Sequence, residues 1–180
     1  MPDIRGAGKI FALGFPSLVE QFSAAIVILV FNFIILDISG NAGVAAYGIV
    51  ANISLVTSAV FSGVSQGIQP LISRAHGEGD TAREKVLLKY AIITGVILAA
   101  IIYAVLFSFA KPLAEVFNSG NSPDLTLTAA EGIRIYFSAL IFLAVNVVTC
   151  TFFSSTERPL PAHIISLLRG LIVIIPSAYI

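Results

Sequence analysis

The chain has 180 residues, 57% hydrophobic and 11% charged, with no net charge and a mean hydropathy of +0.97. Soluble domains are about 45–50% apolar and about 25% charged, so too few charges remain to coat a globule and the apolar excess must face lipid. The basic residues are scattered, which excludes a nucleic-acid footprint, and the one cysteine, Cys150, excludes an internal disulfide and a CxxC metal site.

Gaps between charges mark five candidate spans, at 10–36, 44–72, 90–110, 135–156 and 160–180. Each approaches the ~20 residues that cross a bilayer core as a helix, and the expected fold is an all-α, polytopic transmembrane bundle filling 1–180. Arg5 and Lys9 precede the first apolar stretch, but Pro16 and Glu20 interrupt it and no small-residue cleavage site follows, so it reads as a retained span rather than a signal peptide. Alternating spans put Arg5, Lys9, Arg74, Arg83, Lys85, Lys89 and Arg158 on one side and Lys111 and Arg134 on the other. The positive-inside rule then places the amino terminus in the cytoplasm, with the chain in the cell membrane, the inner one where there are two. The apolar run ending at Ile180 has no polar flank, so a sixth helix is expected beyond it.

Span one carries the sharpest chemistry. Phe15, Val19, Phe22, Ile26, Leu29, Phe33 and Leu36 recur at three-four spacing as a bulky stripe suited to lipid. Away from it lie Pro16, Ser17, Glu20, Gln21, Ala24, Ala25 and Asn32. Polar groups within a membrane seek partners inside the bundle, and an intramembrane carboxyl is a functional candidate by default. Glu20 can alternate between a protonated state and an ionised one with a bound cation; a permanent hydrogen bond to a neighbouring helix is the structural alternative. Pro16 cannot donate to the carbonyl of Ala12 and should bend the helix there.

In span two, Ser58, Ser62, Ser65 and Gln69 share a face, with Asn52 and Gln66 adjoining. Gly63 and Gly67 form a GxxxG pair that permits close packing, and Pro70 frees the carbonyl of Gln66. Such a face suits the wall of a water-filled cavity, or else pairing between helices. The Gly77-Glu78-Gly79-Asp80 stretch is a turn, with Asp80 an N-cap for a short polar helix. Span three reads as nearly featureless and lipid-facing. Span four offers Asn146, Thr149, Cys150 and Ser154, with Asn146 a candidate for substrate or for a neighbouring helix. Span five holds Arg169, which would pair with an acid such as Glu20, line the cytoplasmic mouth, or snorkel towards headgroups. His76 and His163 lie on different segments and make no metal site.

The stretch Gly14-Phe15-Pro16-Ser17-Leu18-Val19-Glu20-Gln21 is similar to the opening of the seventh helix in the multidrug and toxic-compound extrusion family. AAYGIV at 45–50, SQGIQPLIS at 65–73 and ERPLPAHIISLLRG at 157–170 resemble that family's eighth helix and its tenth-to-eleventh connection. The resemblance implies most of the carboxy-terminal half of a twelve-helix, two-bundle antiporter, whose partner would be the absent amino-terminal six-helix bundle. It implies export of small organic cations driven by protons or sodium ions, with Glu20 as the ion-coupling residue and no other cofactor. The tenth-helix aspartate of some members has no equivalent in span four. A lipid or polysaccharide flippase of the same superfamily would share this architecture but lines its cavity with several cations, where only Arg169 is available. A non-transporting membrane scaffold would not need water at Glu20 or along span two. No nucleophile–base pair or phosphate loop is present, so no enzyme is expected.

Overall fold

The computed structural model describes residues 4–118, 120 and 122–156; over 4–21, 23 and 24 it describes the backbone alone. All the elements within that range are helices: α1 (Ile4–Gly77), α2 (Thr81–Ser108), α3 (Ala110–Phe117), α4 (Pro123–Phe137) and α5 (Leu140–Ser155). Ala25–Gly77 and Thr81–Ser108 are long and apolar enough to cross a membrane, and α4 with α5 passes the same test as a pair bent by 45°. The expected fifth span, 160–180, lies outside the described residues.

The first helix is a folded-back pair. Gly40 breaks it with φ 62° and ψ −160°, a backbone region essentially reserved for glycine. Phe31 and Tyr47 then stack with ring centroids 6.1 Å apart, whereas in an unbroken helix their sixteen-residue separation would span ~24 Å. The limbs 4–39 and 41–77 are therefore antiparallel around a very tight corner. At that corner a Cβ on Gly43 would lie 2.5 Å from Ser39 Cβ and 2.9 Å from Ile35 Cγ2, so only hydrogen fits. Gly40→Ala should cost ~1–3 kcal/mol, the usual penalty for a side chain in this region. Gly48→Ala, in open helical space, should be neutral or mildly stabilising. Equilibrium unfolding in mixed micelles checks the pair, and equal stability of the two variants would contradict the reading of Gly40.

Asp80 N-caps α2, its side chain accepting from the Arg83 backbone N–H at 2.9 Å. The expected short polar helix and span three are one element. Residues 81–89 contain no helix breaker, and Arg, Glu, Lys and Leu are good helix formers, so the charges mark the membrane boundary and not a helix end. The long connection expected at 111–134 is likewise mostly helical, as α3 and most of α4. Buried Asn118 closes its turn, donating from Nδ2 to Ser122 O at 2.7 Å and to Thr126 Oγ1 at 2.9 Å. Pro123 then starts α4, where its missing N–H costs nothing.

Span three does not simply border lipid. Ala91, Gly95 and Ala99, one turn apart, are buried, and a Cβ on Gly95 would lie 3.4 Å from Val148 Cγ2 and 3.7 Å from Ala144 Cβ of α5. Small residues let these helices approach closely, which drives association where no hydrophobic effect acts. The 41–77 limb contributes Ala46, Ile49, Val50, Ile53 and Phe61 to a core completed by Ala129, Ala130, Ile133 and Phe137 of α4.

Candidate functional site

The corner at Gly40 sets two limbs side by side, and the candidate site lies along them. On the first limb Phe22, Leu29, Phe33 and Leu36 are exposed, as a lipid-facing stripe requires. Asn32 is half-buried and donates from Nδ2 to Ile28 O at 2.9 Å, within its own helix. The side chains of Pro16, Glu20 and Gln21 lie outside the described residues, although their backbone is helical.

The second limb separates polar groups by angular position. Its buried side carries Ile53, Thr57, Phe61, Ile72 and Ala75, with Thr57 bonded to the Ile53 carbonyl at 3.0 Å. Ser65 sits at the edge of that side, and its hydroxyl meets Thr151 Oγ1 of α5 at 2.8 Å. That contact joins helices and leaves Ser65 half-buried, apart from the rest of its predicted face. Ser58, Ser62, Gln66 and Gln69 are all exposed, and none is hydrogen-bonded to another described residue. Asn52 is exposed too, and donates to the Gly48 carbonyl at 2.9 Å. Pro70 is exposed in a helix that continues to Gly77. Gly63 and Gly67 are not a packing seam among the described residues: nothing stands within 4 Å of a Cβ added at either. They leave an open, side-chain-free strip beside the polar stripe.

The fourth helix face contributes less. Asn146 is half-buried on α5, its Oδ1 3.6 Å from Cys150 Sγ. It projects roughly opposite Ala144 and Val148, the positions packed on α2, and no described contact joins it to the stripe. Arg169 and His163 lie outside the described residues. Thr151, Tyr47 and Tyr136 were not anticipated. Tyr136 Oη lies 3.5 Å from Ser54 Oγ, and a tyrosine with one polar tip on an apolar face is the signal that marks such a link.

Charges collect where α1 meets α2. Arg74 pairs with Glu78 at 2.8 Å, Arg83 with Glu78 at 3.4 Å, and His76 Nδ1 meets Glu84 Oε1 at 2.9 Å. The hydrogen bond from Arg74 and its charge hold the Glu78 carboxyl below the usual carboxylate range. A depressed folded-state pKa means the pair is in place at neutral pH and is lost as pH falls through that lowered value. Among the described residues no group of His, Cys, Asp and Glu could hold a metal ion.

The MatE family model matches residues 16–180. The multidrug export protein MepA of Staphylococcus saprophyticus is 25% identical over 172 residues, which are 96% of this chain and 37% of that protein. The probable multidrug resistance protein NorM of Thermotoga maritima is 24% identical over 172 residues, 96% of this chain and 36% of that protein. Among solved structures, a MOP superfamily transporter from Pyrococcus furiosus superposes with a TM-score of 0.89 at 20% identity, over 99% of this chain and 40% of that one. The chain thus spans just over a third of the length of these two relatives.

Proposed function

The chain belongs to the MatE family, and from that premise we propose that it forms part of a cation-coupled antiporter exporting small organic cations across the cell membrane. One observation carries the reading. Ser58, Ser62, Gln66 and Gln69 form an exposed stripe, beside open space at Gly63 and Gly67, with no hydrogen-bond partner among the described residues. Against hydrocarbon each such group would cost ~1–3 kcal/mol, so the stripe belongs in a hydrated cavity. Neutral amides and hydroxyls bind varied organic molecules without selecting one charge pattern, and the coupling charge comes from elsewhere.

Glu20 supplies that charge. The Phe31–Tyr47 stack and the Ile35–Gly43 approach pair positions whose numbers sum to 78. Continued along the antiparallel limbs, this register brings position 20 level with position 58, the start of the stripe. Proton or sodium ion on one side and drug on the other then compete at one height in the membrane. The remaining partner is a complementary six-helix bundle, since alternating access rocks one bundle against another about a midplane site. The amino terminus is cytoplasmic by the distribution of Lys and Arg. A transporter of this kind performs no covalent chemistry.

Cysteine labelling of the intact protein in proteoliposomes tests the cavity. Cysteines replacing Ser58, Ser62 and Gln66 should react with a hydrophilic maleimide and be protected by a cationic drug. Ser65→Cys, held against Thr151, should react at least about tenfold more slowly. Uniform silence along the stripe would favour a non-transporting scaffold.

A further inference from the structure

The two ends of α2 carry charge in different ways. Thr81 and Phe107 are ~39 Å apart along the helix, more than the ~30 Å hydrocarbon core and within the ~40–45 Å that includes both headgroup layers. Both ends therefore sit at headgroup level, on opposite sides of the membrane. At the Thr81 end, Arg74, His76 and Arg83 pair with Glu78 and Glu84, while Lys85 and Lys89 are exposed and form no ion pair among the described residues. At the Phe107 end, Lys111 and Arg134 line an open cavity of about 590 Å³ with Glu131, and among the described residues neither cation forms an ion pair.

That cavity has the features of a binding site. The Arg134 guanidinium carbon lies 5.2 Å from the centre of the Phe107 ring, a cation–π contact that holds the guanidinium beside the cavity. Leu127, Ala130 and Ile135 complete the lining, and Leu127, Ile135 and Phe107 are exposed around the charges. Two cations, one carboxylate and apolar walls are not the complement of a bare anion. An inorganic phosphate would gain nothing from the walls and would be repelled by Glu131.

We propose that this cavity seats the headgroup of phosphatidylethanolamine. The phosphate lies between Lys111 and Arg134, where a guanidinium can bind two of its oxygens. The ammonium pairs with Glu131, and the acyl chains run down over Ile135 and Phe107. The lipid supplies to Lys111 and Arg134 the counter-charges that they do not find among the described residues. The site anchors the bent α4–α5 pair to one leaflet and does not depend on what is transported.

Native mass spectrometry of the intact detergent-purified protein, offered equimolar phosphatidylethanolamine and phosphatidylglycerol, tests this. Wild type should retain the former preferentially. Lys111→Gln/Arg134→Gln should lose about tenfold in retention, the scale of one charge-assisted bond. Glu131→Gln should retain both lipids and lose the preference, since only ethanolamine brings a cation. Soluble glycerophosphoethanolamine should compete poorly, because it lacks the chains. Should the double variant unfold, Lys111→Gln alone, at an exposed position, reads the same loss. Undiminished retention by the lysine variant, an unchanged preference in Glu131→Gln, or equal binding of the soluble headgroup would each overturn the proposal.

Discussion

Gly95→Leu will strip the bundle of most of its stability, while Gly95→Ala will be tolerated. A Cβ at position 95 meets Val148 Cγ2 at 3.4 Å and Ala144 Cβ at 3.7 Å, ordinary contact distances that an alanine methyl can occupy. The further carbons of leucine have no space, because Ala144 and Val148 are themselves fully buried. Overpacking costs ~1–3 kcal/mol where the surroundings can give. At this seam giving means separating α2 from α5, so the loss should reach the upper end of that range or exceed it. Thermal unfolding in detergent should show a large fall in Tm for Gly95→Leu and little change for Gly95→Ala. Val148→Ala in the leucine background should recover part of the loss, because the two side chains compete for one volume. An unaltered Tm for Gly95→Leu would show that α2 and α5 do not pack as described.

The same seam shows where sequence reasoning works and where it stops. Hydropathy locates membrane, not helix ends. The expected spans 10–36 and 44–72 fall within the two limbs of α1, and 90–110 overlaps most of α2. Yet each helix runs on past its apolar core, since Arg, Glu and Lys continue a helix as well as leucine does. Glu131 and Arg134 similarly disguised α4, although Ser122-Pro123-Asp124 is a readable helix start. Small residues recur at both 63/67 and 91/95/99, of which the sequence reading takes only the first pair as a packing signal, and they state only that a neighbour can come close. Which pair finds one depends on tertiary placement: α5 stands against Gly95, and nothing stands against Gly63 or Gly67 among the described residues.

The polar stripe was legible as periodicity, because a 3.6-residue repeat puts Ser58, Ser62 and Gln69 on one side whatever surrounds them. The fate of individual groups was not. Asn32 and Asn52 satisfy themselves on carbonyls four residues back, an option open to any helical Asn. Ser65 is used up on Thr151, a choice set by how α5 crosses. Gly40 falls in the short gap between the first two expected spans, and its positive φ turns the chain back on itself there. The fold-back thus rests on a hinge of one residue that hydropathy cannot distinguish from any short loop.

Glu20→Gln in the full-length transporter will leave folding and membrane insertion intact and abolish ion-coupled export. Glutamine keeps the size of the side chain and much of its hydrogen bonding, so a structural carboxyl would survive the change. It cannot gain or lose a proton at the site, and it cannot balance a sodium ion. Coupling needs one group whose two loads favour different conformations, because a ligand shifts an equilibrium only by its differential affinity for the two states. On the proposed mechanism, a cationic drug or a sodium ion binds the ionised carboxyl and protonation releases the drug. Drug affinity should therefore rise with pH as the ionised fraction grows, and Glu20→Gln should bind weakly with no such slope. Glu20→Asp still titrates and should keep part of the export, its shorter reach costing rate. Sodium coupling predicts that added sodium displaces the drug at fixed pH, whereas proton coupling predicts no effect beyond ionic strength. Drug binding by fluorescence anisotropy across pH, beside uptake into inverted vesicles, reads both. If wild type and Glu20→Gln share one pH profile and export at equal rates, Glu20 is a structural residue and the coupling site lies elsewhere.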